Sequence, residues 1–493
     1  MTQAGGTGLD VAALLARLAA YPRRITADSR AVEAGVAFAA YPGSARDGRA
    51  FIDDAVARGA AAVLWEPREF EWNAQWHLPN AGVPQLKHAL GSIADFLYGS
   101  PSQELWMVGV TGTNGKTSCA HWIAQALDAY GRRAAILGTL GNGLVGALAP
   151  APNTTPDVCV LHELLTQLKQ AGATAVAMEV SSHGLDQGRV NAVKFDVALF
   201  TNLSRDHLDY HGTMAAYGAA KARLFAWPGL RTAVLNADDD FGRSLIDDAR
   251  RRGQRHVTYG LADADIAATS LAMGRSGLVL SVATPWGRGE VDTQVVGAFN
   301  ASNLLGVLGV LLASDVPFDA ALSTLRHLTP PAGRMQRLGG DGAPLVVVDY
   351  AHTPDALEKA LGALRPAVRA GRELRAVFGC GGDRDKGKRP QMGRIAASLA
   401  DRVYVTNDNP RSEDPQAIAQ AIVHGIRETA NRRFRVELDR AAAIRLALED
   451  AQPGDVVLIA GKGHEAYQET AGVRRPFSDL AAARDALHAV GVA

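Results

Sequence analysis

The sequence predicts an α/β protein of three domains, on three observations. A glycine-rich turn at 109–118, GVTGTNGKTS, stands between a short apolar run and a helix-like stretch. Apolar runs then alternate with helical lengths up to about residue 330, the pattern of a mostly parallel sheet flanked by helices. Thr329-Pro330-Pro331-Ala332-Gly333 reads as a linker, and a second α/β pattern follows it. A chain of 493 residues exceeds one ordinary core, and domains are expected at 1–102, 103–331 and 332–493.

Each part has its own strand candidates. In the first they are 36–39 and 61–65. In the second they are 105–108, 134–137, 175–180, 197–200 and 233–235, with an alternating stretch from 256 to 296 that suits an antiparallel extension. In the third they are 345–348, 374–378, 402–405 and 456–459. Parallel strands bind ligands at their C-terminal ends, so the polar residues just after these runs are the ones to inspect.

Composition narrows the function classes. Lys+Arg and Asp+Glu both total 51, which gives no support for nucleic acid as the main partner. No apolar segment is long enough to span a bilayer, and MTQAGGTGLD lacks the pattern of a secretory signal. Cys119, Cys159 and Cys380 are odd in number and far apart, which fits a reducing compartment and no zinc pattern. A cytoplasmic monomer acting on small molecules is expected.

The turn at 109–118 carries the first chemistry. Gly112, Thr113, Asn114, Gly115, Lys116, Thr117 and Ser118 form GTNGKTS, a shorter variant of the usual phosphate loop, since five residues separate Gly109 from Gly115. Glycines let the backbone approach phosphate oxygens, helix-start amides add partial positive charge, and Lys116 adds a full one. Thr117 is placed to ligate Mg²⁺ through its hydroxyl, and ATP binding is implied. At the end of the next apolar run Glu179 can reach that Mg²⁺. Ser181, Gln187 and Arg189 follow it, the last two suited to an anionic substrate. His207, after the run 197–200, reads as a metal ligand beside these strand ends.

Lys221 shares a helical face with Tyr217, Leu224 and Phe225. Burial disfavours its ammonium form, and a neutral amine can react with CO₂ to give a carbamate that binds Mg²⁺. The alternative is a lysine that snorkels its charge to water, and composition alone favours it.

GTNGKT, EVSSHGL at 179–185, NLSRDHLDYHG at 202–212, the YxxxKxxLF helix at 217–225, GCGGDRDKGKRP at 379–390 and DNPR at 408–411 together resemble the Mur ligase family. In particular they resemble its members that add meso-diaminopimelate to UDP-N-acetylmuramoyl-L-alanyl-D-glutamate. The resemblance runs from Asp28-Ser29-Arg30 to Gly461-Lys462-Gly463-His464-Glu465. It implies a UDP-sugar domain, a central ATPase domain and a C-terminal Rossmann-like domain that closes over the site, with Mg²⁺ and ATP required. By resemblance Ser29, Ser44, Ala45 and Arg46 contact the nucleotide part of the substrate. Asn153, Thr154, Thr155, Ser181, Gln187 and Arg189 hold its muramoyl dipeptide. Lys221 matches the carbamylated lysine of the family, which makes carbamylation the favoured reading. Asn300 lies near the adenine, and Arg334 meets phosphate on closure. Asp349 and His352 sit at the nucleotide, although Asp349 alone could equally cap the next helix.

Asp408, Asn409, Pro410 and Arg411 follow the apolar run 402–405, and a plain turn is the bland alternative. Functionally, Arg411 can pair with a carboxylate that diaminopimelate has and lysine lacks. The lysine-adding members of the family lack DNPR here, so the motif favours diaminopimelate. Arg384, Gly461 and Glu465 match further positions around that amino acid, with Glu465 suited to its distal ammonium. The nearest rival is another ligase of the superfamily, such as a folylpolyglutamate synthetase, against which DNPR and the Asp28-Ser29-Arg30 region argue. A phosphate-loop NTPase that drives conformational change is the rival from a different class.

Overall fold

Strand-rich apolar runs build three main sheets, one from each third of the chain. The computed structural model describes residues 9–18, 22–43, 46–273, 277–340 and 342–489. The first sheet is parallel, in the order Arg24–Thr26, Val36–Ala40, Ala62–Trp65 and Asn80–Gly82. Val36–Ala40 is buried at every position, which explains its unbroken VAFAA run.

The central sheet has eleven strands. Its parallel middle runs Ile266–Met273, His256–Gly260, Thr232–Asn236, Val197–Phe200, Trp106–Thr111, Ala175–Glu179 and Ala134–Gly138. Ile266–Met273, Leu278–Thr284 and Gly287–Thr293 form the expected antiparallel extension, although His256–Gly260 itself pairs in parallel. A second extension, Gly141–Leu144 and Ala147–Ala149, grows from the other edge. The phosphate-loop helix Lys116–Ala129 packs beside the helix Ala298–Ala313 in the core over this sheet. Ala298–Ala313 is buried along nearly its whole length, as expected of a helix apolar on all sides.

The third sheet runs Gln336–Gly339, Leu345–Asp349, Val456–Ala460, Leu374–Phe378, Arg402–Val405 and Phe434–Val436, parallel except for its first strand. A hairpin, Tyr467–Thr470 with Val473–Pro476, stands apart from it. The linker between the second and third sheets is pinned. Trp122 Nε1 donates to the Thr329 carbonyl at 3.0 Å, and Gln125 Oε1 accepts the Thr329 amide at 3.0 Å. Gly333 takes φ +65°, and a Cβ there would collide with the backbone of Gly463 and His464. No helix among the described residues is long and apolar enough to cross a membrane.

Candidate active site

The chain leaves the strand Trp106–Thr111 into a turn that only glycine allows at two points. Gly112 and Gly115 have φ of +149° and +86°, and a Cβ on either would strike Thr201 or Asn303. Asn202 holds the turn in place: its carbonyl accepts the Thr113 amide at 2.8 Å, and its side-chain oxygen accepts the Asn114 amide at 3.0 Å. No side chain caps the helix that follows, so its first amides are left for a ligand. Lys116 Nζ lies over the turn, donating to the Gly112 and Thr113 carbonyls at 2.9 Å each.

Glu179 ends the neighbouring strand, 1% exposed. Its Oε2 accepts the Thr117 hydroxyl at 2.9 Å, and its Oε1 accepts the Thr139 amide at 2.8 Å. Beyond it, Ser181 N donates to Thr155 Oγ1 at 3.0 Å, and Thr139 and Thr154 hydroxyls lie 3.0 Å apart. Arg189 Nη1 donates to the Thr155 carbonyl at 2.9 Å, while its Nε and Nη2 grip Gln187 Oε1 at 2.9 and 2.7 Å.

Lys221 does not snorkel. The helix Met214–Ala222 tightens into a 3₁₀ turn at Arg223–Ala226, and Tyr217, Lys221, Leu224 and Phe225 all face inward. Lys221 is 1% exposed, and its Nζ donates to the Gly112 carbonyl at 2.7 Å. Desolvation, aided by nearby Lys116, holds its ammonium well below the ordinary lysine range.

His207 is more open. It sits at φ +52° with Nε2 3.4 Å from Asp206 Oδ2, and its side chain is 43% exposed. His183 packs edge-on against it, ring centroids 4.9 Å apart, and His211 Nε2 lies 3.0 Å from Ser182 Oγ.

The third sheet closes the other side. Arg334 Nη2 donates to Thr117 Oγ1 at 3.1 Å, and its guanidinium lies 4.4 Å from the Tyr350 ring centre. Asp349 Oδ2 accepts the Met335 amide at 2.8 Å, and desolvation raises its carboxyl above the usual range. Asp349 does not cap the helix Pro354–Leu364; Thr353 does. His352 Nδ1 lies 2.8 Å from the Tyr350 carbonyl. Asn114 Nδ2 donates to Asp355 Oδ2 at 2.8 Å, a further bond between the lobes. Asn300, 4% exposed, donates to the Val296 carbonyl at 2.7 Å.

These groups surround one cavity of about 580 Å³. Its lining includes Thr113, Asn114, Gly115, Lys116, Thr117, Ser118, Asn153, Thr154, Thr155, Glu179, Ser181, Arg189, His207, Lys221, Asn300, Arg334, Asp349 and His352. Gly112 joins through the carbonyl that Lys221 and Lys116 share. Gln187 stands behind Arg189 rather than in the lining. Ser29 and Arg46 belong to the first sheet's loops and do not line the cavity, and Ser44 and Ala45 lie outside the described residues.

Arg384, Asp408, Asn409, Pro410, Arg411, Gly461 and Glu465 form a second cluster behind Tyr350. Asn409 Nδ2 donates to Glu465 Oε2 at 2.8 Å, Arg411 Nη1 to the Gly382 carbonyl at 2.7 Å, and Arg384 Nη1 to the Asp383 carbonyl at 2.9 Å. A Cβ on Gly461 would lie 2.7 Å from Asp408 Oδ2. The His464 ring lies 5.1 Å from that of Tyr350. Burial raises the Tyr350 hydroxyl to about 12, with the Glu465 and Asp408 carboxylates adding to the shift.

Several lining residues escape a reading of motifs alone. Thr139 follows the strand Ala134–Gly138, so the strand-end rule points to it. His183 and Asp206 lie inside quoted motifs and Tyr350 follows the named Asp349, while Asp238, Leu261, Phe299 and Lys359 carry no local signal.

For a divalent cation, Glu179 and Thr117 offer adjacent hard oxygen donors, which fits Mg²⁺ bound by one or two side chains plus phosphates and water. His207 Nε2 lies 3.4 Å from Asp206 Oδ2, and no group of three or more His, Cys, Asp or Glu side chains gathers into a metal cage among the described residues.

Comparison with known proteins agrees with this architecture. Residues 23–98 match the Mur ligase family catalytic domain, 110–311 the Mur ligase middle domain, and 333–463 the Mur ligase glutamate ligase domain. The UDP-N-acetylmuramoyl-L-alanyl-D-glutamate--2,6-diaminopimelate ligase of Chromobacterium violaceum is 52% identical over 480 residues, 97% of each chain. The protein of that name from Ectopseudomonas mendocina is 54% identical over 472 residues, 95% of each chain. A solved structure of a ligase of that name superimposes with TM-score 0.69 at 38% identity, over 96% of each chain. The chain belongs to the Mur ligase family.

Proposed function

We propose that the protein is an ATP-dependent ligase joining meso-2,6-diaminopimelate to the D-glutamate γ-carboxylate of UDP-N-acetylmuramoyl-L-alanyl-D-glutamate, a step of peptidoglycan precursor synthesis. One observation carries this reading. The phosphate loop, Glu179 and Lys221 face Arg334 and Asp349 across a single cavity, and the Asp408 and Glu465 carboxylates of the second cluster lie close enough to Tyr350, in its lining, to act on its hydroxyl. Relatives more than half identical over nearly the whole chain bear the name of this activity. The three cysteines are all free and buried, which suits a cytoplasmic enzyme.

In this reading 1–102 holds the UDP-sugar, through Ser29 and the 44–46 turn. Residues 103–331 hold ATP and the dipeptide, and 332–493 hold the incoming amino acid. The loop amides, Lys116 and Arg334 neutralise the ATP phosphates. Asn153, Thr154, Thr155, Ser181 and Arg189, with Gln187 bracing the last, orient the peptide acid. Asn300, Asp349 and His352 complete the nucleotide side. A γ-carboxylate oxygen attacks the γ-phosphorus and ADP leaves, giving an acyl phosphate. The free amine of diaminopimelate then attacks the acyl carbon, loses a proton, and the tetrahedral adduct expels phosphate to leave an amide. No side chain acts as nucleophile; the protein positions reactants, stabilises developing charge and excludes water.

Mg²⁺, when bound, neutralises phosphate charge. Glu179 and Thr117 would hold it, with His207 and a carbamate on Lys221 as the further ligands. The Lys221 amine is buried and disposed to be neutral, so it can attack CO₂ and release one proton to give N6-carboxylysine. The test supplies ATP, Mg²⁺ and the UDP-muramoyl dipeptide, then compares amino-acid acceptors by ADP release and product mass. ADP release independent of both the dipeptide and the amino acid would refute the proposal.

A further inference from the structure

The cluster behind Tyr350 contains a charged side chain that the chemistry above leaves unused. Lys462 is 0% exposed. Its Nζ donates to Asn409 Oδ1 at 3.0 Å and to Glu465 Oε2 at 2.8 Å, and lies 4.0 Å from Asp408 Oδ1. The turn that carries it is fixed on both sides by glycines at positive φ, Gly461 at +115° and Gly463 at +54°. A Cβ on Gly463 would press on Tyr350 and the Gly333 carbonyl.

Lys462 also decides how Asn409 points. Asn409 Oδ1 accepts from Lys462 and from the Glu469 amide at 2.9 Å, so the amide nitrogen must face the other way, onto Glu465 Oε2 at 2.8 Å. Both bonds to Glu465 therefore fall on Oε2, and the carboxylate cannot turn freely.

We propose that Lys462 is a positioning residue that, with Asn409, aims Glu465, so that the enzyme selects acceptors carrying a second ammonium group. The inference rests on the proposed function. It differs from a merely structural ion pair in that it ties Lys462 to one end of one substrate.

The test uses the full-length protein with diaminopimelate and with 2-aminopimelate, which keeps both carboxylates and lacks the distal amine. Wild type should prefer the diamino compound by about 30-fold or more in kcat/KM, the lower range for an unpaired buried charge. Lys462→Met should bring that preference to within about threefold, while KM for ATP and for the nucleotide dipeptide moves by less than about twofold. The double variant Lys462→Met/Glu465→Gln should be no worse than Glu465→Gln alone, because both changes disable one device. Preference retained in Lys462→Met, or losses that add in the double variant, would overturn the proposal. Should Lys462→Met fail to bind ATP or to melt cooperatively, Lys462→Gln, whose shorter side chain cannot reach both Asn409 and Glu465, is judged by the same two outcomes. Failure of the underlying reading looks different: wild type would then turn over neither compound.

Discussion

Lys116 and Lys221 share one acceptor: both Nζ atoms donate to the carbonyl oxygen of Gly112, at 2.9 and 2.7 Å. Two buried ammonium groups on one carbonyl repel, and burial already disfavours charge on both. The arrangement is relieved if Lys221 becomes neutral or anionic while Lys116 keeps its charge for phosphate.

Lys221→Ala should therefore lower ligation by about 10²–10³-fold, the loss typical of one charge-stabilising group. Adding a small carboxylic acid should restore part of the rate by filling the vacated volume with an anion. Intact mass of the native protein should show one CO₂ on wild type and none on the variant. Full activity of purified Lys221→Ala without added acid would rule out the carbamate.

Arg411→Ala should erode the preference for diaminopimelate over lysine. The residue already sits at φ +52°, so alanine inherits the same backbone strain and the change reports on the guanidinium. A lost charge pair of this kind is worth roughly 2–5 kcal/mol. An unchanged ratio of kcat/KM values for the two amino acids would speak against the pairing.

His121 is 7% exposed, its Nε2 has no hydrogen-bond partner, and burial, helped by Arg334 and His464, pushes its pKa down to about 4. The unfolded imidazole titrates near 6.5. Between these values the unfolded chain holds the proton, so the neutral buried ring favours folding above about 6.5 and loses that advantage as pH falls toward 4. His121→Leu should flatten the fall in Tm between pH 6.5 and 4.5. Identical pH–Tm curves would show that His121 contributes nothing to the acid limb.

Gly333→Ala should damage catalysis more than stability. The added methyl would press on the Gly463–His464 backbone at a positive φ, shifting the third sheet's loops against the phosphate loop. A displacement of about 1 Å can cost about 10²-fold. Steady-state kinetics beside a melting curve would check this, and wild-type kcat would refute it.

Much of the architecture is legible from residue order alone, because buried parallel strands read as apolar runs and their ends carry the polar groups. Glu179 closing Ala175–Glu179 and Asp349 closing Leu345–Asp349 show this. Lys221 is legible as inward-facing from its spacing to Tyr217, whereas its burial has to be seen, since lysine ordinarily snorkels. The edge hairpin Gly141–Leu144 and Ala147–Ala149 escapes notice because its glycines carry no β-forming signal. Lys462, like the fully buried pair Arg440 and Asp479, is unreadable for another reason. A charge inside a protein depends on partners far along the chain, and no local pattern announces them.

The Tyr350 ring lies 4.4 Å from the Arg334 guanidinium and 5.1 Å from the His464 ring. An inhibitor with a phosphonate for the loop amides and an amine for Glu465, tethered past this ring, would engage both groups of residues at once. Its second arm would bind at the high effective concentration fixed by the tether, so affinity would grow without either arm being improved.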